Sequence, residues 1–378
     1  MKIGILTQPL GLNYGGIMQA YALQKVLQDG GHEVITLNYW RRVSFKTKIK
    51  RALSMIFWGS QISLSHPFPY RKMTINTEKF IKDYINYTDI IFSPLTTKDV
   101  QCYNFDAYIV GSDQVWRESY SPYLPTFFLD FISDKRDIKR VAYAASFGTS
   151  DFDCSPDMLS AIKFLVNKFD VISVREDSAI DIVKKYFQME SCRVLDPTML
   201  LNSSDYCQLI NNDLQKGIIG ESESANCCCS YLLNESAEKI AVVNDVLKTY
   251  RLNHYSPIVK KFPLRKVCLD ECQLKPVTEW LRMFYDSKII VTDSFHGTVF
   301  SIIFKKQFIV LENHKRGQDR LLSLLKMFDL EDRLFSVEDK TKNLSDILNK
   351  QINWEKVDAI ISMEREKSLN FIRSSLNG

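Results

Sequence analysis

"KIGILTQPLGLNYGGIMQAYALQKVLQDGGHEVITLNY", residues 2–39, decides the class of fold. Its first five residues, KIGIL, form a short apolar run with the length of a buried strand. A glycine-rich loop, TQPLGLNYGG, follows. The next stretch places Ile17, Ala20, Tyr21, Leu23, Val26 and Leu27 at helical spacing and stops at Gly30-Gly31, where glycine commonly ends a helix. "EVITLNY" then reads as a second strand. Strand, helix and strand within about 40 residues are a βαβ unit, so a parallel sheet is expected.

The alternation continues. Strands are expected at 107–111, 140–148, 171–175 and 192–197, with helices at 156–168 and 177–187 between them. A stretch rich in Asn, Ser, Asp and Gly, 202–225, reads as a linker with a helical piece. Strands then return at 227–233, 288–292 and 307–311, with helices at 236–249, 277–285, 297–304 and 319–327 and an amphipathic helix at 354–375. With 378 residues the chain exceeds one ordinary core. The expected architecture is α/β, with two Rossmann-like domains whose parallel sheets face a cleft. Residues 1–201 form the first, acceptor-side domain and 202–350 the second, donor-side domain. Helical residues 351–378 pack back on the first.

Composition narrows the class. Hydrophobic residues make up 45% and charged residues 25%, ordinary for a globular protein. The net charge of +4 is too small to argue for nucleic acid. Pro9 and Gly11 break the N-terminal apolar run, which reads as a strand rather than a signal peptide. There is no uninterrupted apolar stretch of about 18 residues, the length that spans a membrane. The nine cysteines are odd in number and form no CxxC pair. Cys227, Cys228 and Cys229 alternate along a strand, which suits buried thiols in a reducing, cytoplasmic compartment. The dispersed histidines offer no metal-ligand spacing.

One segment departs from the pattern. Residues 41–58, "RRVSFKTKIKRALSMIFW", carry Arg41, Arg42, Lys46, Lys48, Lys50 and Arg51 without an acid, then turn apolar. Two readings stay open: a solvated loop or helix, and a patch resting on the inner, anionic face of a membrane.

The chemistry centres on "VTDSFHGTVFSIIF", residues 291–304. A strand ends at Thr292 and a helix is expected to begin near Gly297, capped by Asp293 or Ser294. The unpaired N–H groups of a helix start carry the positive end of its dipole and bind anions. Gly297 permits close approach, Thr298 follows in the first turn, and His296 adds an imidazole, a side chain that commonly exchanges protons near neutrality. A helix dipole contributes roughly 0.3–2 kcal/mol, whereas micromolar binding needs about 8 kcal/mol. Fixed cations must supply the rest. Arginine's planar fork matches carboxylate and phosphate, and the candidates are Arg175, Arg316 and Arg320, with Lys315 beside them. In the first domain "IVGSDQVWR" (109–117) brings Ser112 and Asp113 to a strand's end, where a carboxylate can serve as a base. Asn13, Tyr14 and Gly15 of "LNYGG" are expected to line the same region. That loop lacks the GxGxxG spacing of dinucleotide binders. "DFD" (151–153) matches a short metal motif of some sugar-nucleotide enzymes but carries little information.

"NYGGIMQAYALQKVLQDGGHEV", "YIVGSDQVW", "SVREDS", "LDPTMLL" and "TDSFHGTVFSIIFKKQFIVL", in this order, resemble the polysaccharide pyruvyl transferase family from about residue 1 to 335. The resemblance implies two Rossmann-like domains in a GT-B-like arrangement. It implies transfer of pyruvate from phosphoenolpyruvate, as co-substrate and without a cofactor or metal, to two hydroxyls of a sugar. The acceptor would be a cell-surface polysaccharide or its lipid-linked precursor. His296 and Arg175 match the family's functional histidine and arginine. Where some relatives carry a second arginine two residues before the histidine, this sequence has Ser294, and Arg316 or Arg320 is the expected replacement. Two other readings stay open: a GT-B glycosyltransferase of sialyltransferase-like kind using a nucleotide sugar, and a non-catalytic module that binds glycans or anions.

Overall fold

The structure, a computed structural model, describes residues 1–58, 63–64, 71–132, 137–220, 226–258, 272–339 and 343–377. The chain divides into two compact units. The first comprises residues 1–197 with 272–275 and 370–377; the second comprises 198–258 and 276–369. The last helix, Trp354–Asn377, contributes residues to both.

The first unit holds β1 (Lys2–Leu6), β2 (Glu33–Thr36), β3 (Tyr39–Trp40), β4 (Ile91–Phe92), β5 (Ala107–Val110), β6 (Lys139–Ala145), β7 (Val171–Val174) and β8 (Cys192–Arg193). Its six-stranded sheet runs β2-β1-β5-β6-β7-β8, and β3 pairs with β4 apart from it. Every pairing is parallel, with Ile3 opposite Ala107 and Val141 opposite Val171. Both faces of such a sheet are covered, so its strands are apolar throughout. All four residues of β5 are accordingly buried. Trp116 stacks on Phe128 with ring centroids 5.1 Å apart, and Phe147 lies 5.2 Å from the same indole. Burying each such side chain stabilises the fold by about 1.5–3 kcal/mol.

The second unit holds β9 (Cys227–Tyr231), β10 (Asn253–Tyr255), β11 (Ile289–Thr292), β12 (Gln307–Leu311) and β13 (Leu334–Phe335) in the order β10-β9-β11-β12-β13, again all parallel. Trp280 packs edge-on against Tyr231, Phe284 and Phe300 with centroids 5.0–5.7 Å apart. Cys227, Cys228 and Cys229 are buried in β9. Burial disfavours the thiolate and pushes the Cys228 thiol up to about 12.

The expected α/β alternation is present, with several differences at its edges. The first helix runs Tyr14–Asp29 and starts three residues before Ile17. Tyr14, Gly15 and Gly16 are its first turn, not a loop, and all three are buried. A Cβ on Gly16 would meet the Asn13 amide nitrogen at 3.0 Å, so glycine lets that side chain lie across the turn. The stretch from 202 contains the helix Ser203–Gln215, closed by a capping box between Asn202 and Asp205; residues 221–225 lie outside the described ones. Strands β3, β4, β10 and β13 span two or three residues each, too short for a period to register. Residues Phe45–Trp58 and Arg71–Tyr84 are helices.

Candidate active site

In each sheet the chain reverses its direction of winding once. In the first unit it passes from β1 outward to β2 and returns to β5 on the other side of β1. In the second it passes from β9 to β10 and returns to β11. Connections leave such a switch point in opposite directions, opening a crevice beyond the carboxyl ends of the two strands, where open α/β sheets bind ligands. Asp113 follows β5 and Asp293 follows β11. The residue chosen at each switch point is therefore an aspartate, and its surroundings differ.

Asp113 sits in a polar cluster at the strand ends of the first unit. Its Oδ1 accepts from the backbone N–H of Gln114 at 2.9 Å and from Arg175 Nη2 at 3.3 Å. Its Oδ2 accepts from Asn13 Nδ2 at 3.2 Å. The other arm of Arg175 binds Asp196 Oδ2 at 2.8 Å. Burial alone would push the Arg175 pKa down; the charges of Asp196, Asp113 and Glu176 outweigh it and hold the pKa above the ordinary value. Ser112 Oγ lies 3.1 Å from both Asp196 Oδ2 and the Ala144 carbonyl, and its N–H donates to Gln19 Oε1 at 3.0 Å. The backbone here takes conformations side chains rarely adopt: φ is +75° at Asp113 and +48° at Ala144. Gly111, at φ +126°, could not carry a side chain, because a Cβ would stand 2.0 Å from the Tyr143 carbonyl oxygen. Non-glycine residues in such regions persist where the surroundings over-determine them, often at functional sites. Next door, Glu176 Oε1 collects Ser146 Oγ and the N–H groups of Phe147 and Gly148 at 2.9–3.0 Å, fixing the loop after β6.

Two corrections follow for this unit. Arg175 is not an open clamp for a substrate anion, because its guanidinium is 1% exposed and ion-paired on both arms. Ser112 is fully buried and belongs to the scaffold of the cluster. Sequence reasoning missed Asp196, although like Asp113 and Asp293 it is an acid within three residues of a strand's end. The Asp151 carboxylate of "DFD" is exposed and receives Lys185 Nζ at 3.1 Å and Tyr186 Oη at 2.5 Å.

In the second unit the helix runs Phe295–Ile303, two residues ahead of the expected start. Ser294 is its N-cap and accepts from Gly297 N–H at 3.4 Å. Asp293 does not cap. Its Oδ1 accepts from Leu233 N–H at 2.6 Å; its Oδ2 accepts from Asn234 N–H at 3.1 Å, Lys239 Nζ at 2.7 Å and Asn313 Nδ2 at 2.9 Å. One carboxylate thus ties together the loops after β9, β11 and β12 and the start of helix Ala237–Tyr250. Gly297 serves the fold: a Cβ would lie 2.2 Å from Thr292 Oγ1, so glycine lets the helix sit down on the end of β11. Thr298 is buried and donates its hydroxyl back to the Ser294 carbonyl at 3.1 Å.

The expected arginines gather here. Arg316 Nε donates to Asn234 Oδ1 at 3.1 Å, next to the Asp293 network. The Arg320 guanidinium lies over the Phe295 ring, 5.6 Å from its centroid, at the first residue of the helix. His296, one residue further, is 6% exposed and packs edge-on against Phe295. Lys239, Asn234 and Asn313 were not singled out from sequence, since nothing local marks them as partners of a residue 20–60 positions away. The side chain of Lys315 lies outside the described residues. A depression of about 670 Å³ lined by Ile210, Leu214, Arg282 and Tyr285 opens elsewhere, at the end of helix Val277–Asp286 that leads into β11. It is therefore on the edge of the sheet opposite the carboxyl ends.

Among solved structures, UDP-GlcNAc 2-epimerase from Methanocaldococcus jannaschii is similar at 12% identity over 100% of both chains, with a TM-score of 0.54. The UDP-GlcNAc 2-epimerase from Neisseria meningitidis, bound to UDP-GlcNAc, is similar at 9% identity over 100% of this chain and 99% of that one, TM-score 0.52. Arabidopsis thaliana UGT89C1, complexed with UDP-L-rhamnose, gives 8% identity over 98% of each chain and 0.51. At these identities the likeness concerns the fold alone, which is GT-B-like. No curated protein matches in sequence. The family model of polysaccharide pyruvyl transferases matches residues 13–315, four-fifths of the chain, and includes Asp113 and Asp293. The chain belongs to the polysaccharide pyruvyl transferase family.

Proposed function

We propose that the protein transfers pyruvate from phosphoenolpyruvate to a saccharide of a surface polysaccharide or its lipid-linked precursor, forming a cyclic ketal. The observation that carries this reading is the second switch point: Lys239, Arg316 and Arg320 stand about one buried carboxylate and a helix start. Phosphoenolpyruvate offers a carboxylate and a phosphate, the two groups that guanidinium forks and helix N–H groups bind best. Arg316 and Arg320 take the place left by Ser294.

The chemistry runs as follows. A proton is added to C3 of phosphoenolpyruvate, and C2 gains oxocarbenium character. One sugar hydroxyl attacks C2 and gives up its proton to a base. The C2–O bond to phosphate breaks, and a second hydroxyl closes the ketal as it loses its proton. Of the two hydroxyl protons released, one balances the proton spent at C3 and the other leaves with inorganic phosphate. His296 is the acid or a phosphate contact. Asp113 is the base, with Asn13 and Arg175 holding its two oxygens; Arg175 is a positioning residue rather than a clamp. The buried thiols of β9 suit a reducing cytoplasm.

Incubation with phosphoenolpyruvate and a panel of free and lipid-linked sugars tests the reading. The expected product carries one pyruvate ketal, detected by mass, with one phosphate released. Thermal stabilisation by nucleotides but not by phosphoenolpyruvate would instead favour a nucleotide-sugar glycosyltransferase. Saturable sugar binding without product would favour a binding module.

A further inference from the structure

Helix Phe45–Trp58 begins at Ser44, whose hydroxyl accepts from Thr47 N–H at 3.2 Å. Along it Phe45, Ile49, Leu53 and Ile56 recur at intervals of four, four and three residues, which places them on one face. That face is turned to solvent: Phe45 is 76% exposed, Ile56 75%, Leu53 46% and Ile49 45%. Ser54, on the opposite side, is buried. The helix therefore shows water the stripe that an ordinary surface helix buries. Lys46, Lys48 and Lys50 flank the stripe and are exposed, as are Arg41 and Arg42 just before the helix. Arg41 donates to the Ser121 carbonyl at 2.7 Å, and Arg51 to the Ser63 carbonyl at 2.9 Å. No acidic residue occurs between Glu33 and Glu78. The side chains of Phe57 and Trp58 lie outside the described residues.

We propose that helix Phe45–Trp58 lies flat on an anionic lipid surface, with Phe45, Ile49, Leu53 and Ile56 in the acyl boundary and the flanking lysines and arginines among the phosphates. This goes beyond the transfer reaction and does not depend on which donor is used. An exposed apolar face alone would fit several occupants. The charge selects among them: a second copy of this helix would bring cations against cations, whereas an anionic bilayer meets both the stripe and its basic flanks. No helix of the described residues is long and apolar enough to cross a membrane, so the contact is peripheral. Each cation near such a surface raises partitioning by about fivefold, and salt screens the effect.

The test is sedimentation of the full-length protein with vesicles of phosphatidylcholine, with and without phosphatidylglycerol. The protein should partition at least about tenfold more strongly to the vesicles containing phosphatidylglycerol, and less so as salt rises. Lys46→Glu/Lys48→Glu/Lys50→Glu should lose at least about tenfold of that binding. Phe45→Ser/Ile56→Ser should lose binding to a similar degree at unchanged net charge. All five positions are exposed, so both variants should keep the wild-type melting profile, read by circular dichroism. Equal binding to the two kinds of vesicle would overturn the proposal. So would binding that neither variant changes. A dimer in sedimentation velocity that both variants dissolve would likewise overturn it and assign the face to a second copy.

Discussion

The two switch points carry the same residue in the same place and use it in opposite ways. Asp293 accepts four hydrogen bonds, is 1% exposed and cross-links three loops and a helix. Asp113 is 6% exposed, holds a left-handed backbone conformation and shares Arg175 with Asp196. Two carboxylates around one guanidinium leave the first site with an acidic character. Lys239, Arg316 and Arg320 around one carboxylate leave the second with a basic one. A buried charge that is fully paired holds structure together, whereas the left-handed backbone at Asp113 is of the kind that clusters at functional sites. The proposed function accordingly gives the two aspartates different work.

The comparison breaks first at the two aspartates. Asp113→Asn keeps the shape of the side chain but removes a base, and should lower kcat by about 10²–10⁴-fold; Arg175 keeps Asp196 as a partner, so the melting temperature should fall less than in Asp293→Ala. Steady-state phosphate release from phosphoenolpyruvate and sugar reads the loss of rate directly. Asp293→Ala should do the reverse. It strands Lys239 and two backbone N–H groups, and should cost about 3–5 kcal/mol in urea unfolding; a variant of wild-type stability would show that the network is ornamental.

The glycines sharpen the contrast on a smaller scale. Gly111→Ala meets a backbone carbonyl at 2.0 Å and a φ of +126°, and should cost about 3 kcal/mol or more. Gly297→Ala meets the Thr292 side chain, Oγ1 at 2.2 Å and Cβ at 3.0 Å, and should cost about 1–3 kcal/mol. Adding Thr292→Ala should recover part of that loss, and a double-mutant cycle measures how much. The smallest effect is kinetic. Burial raises the Cys228 and Cys229 thiols, and alkylation needs the thiolate, whereas Cys102 is exposed and open to the reagent. Cys228 and Cys229 should stay silent until the chain unfolds, as peptide mass mapping can follow.

Much of this architecture is legible in the sequence because parallel strands buried on both faces are short apolar runs. The ends of β1, β5, β7, β11 and β12 were placed within one residue, and those ends carry the polar residues. A helix after β11, though expected from Gly297 rather than Phe295, and the candidacy of Arg316, Arg320 and Asp113 follow from local pattern; the placing of the two arginines beside the helix start needs the fold. The roles of Arg175 and Gly297 do not. They depend on Asp196 and Thr292, contacts that form only when strands come side by side or a helix settles on a strand end. For the same reason the four-way bonding of Asp293 could not be told from ordinary capping, since Leu233, Lys239 and Asn313 lie up to 60 residues away. The exposed stripe of helix Phe45–Trp58 needed the fold as well, because an amphipathic pattern does not say which face meets water.

The central claim is that the start of helix Phe295–Ile303, with Arg316 and Arg320, holds the donor's negative charge. Calorimetric titration of phosphoenolpyruvate into the wild-type protein, Arg316→Gln and Arg320→Gln tests it most directly. The account predicts saturable binding that weakens about tenfold or more in each variant, the loss of one charged hydrogen bond, with melting temperatures preserved. Phosphoenolpyruvate affinity unchanged in both variants would contradict it.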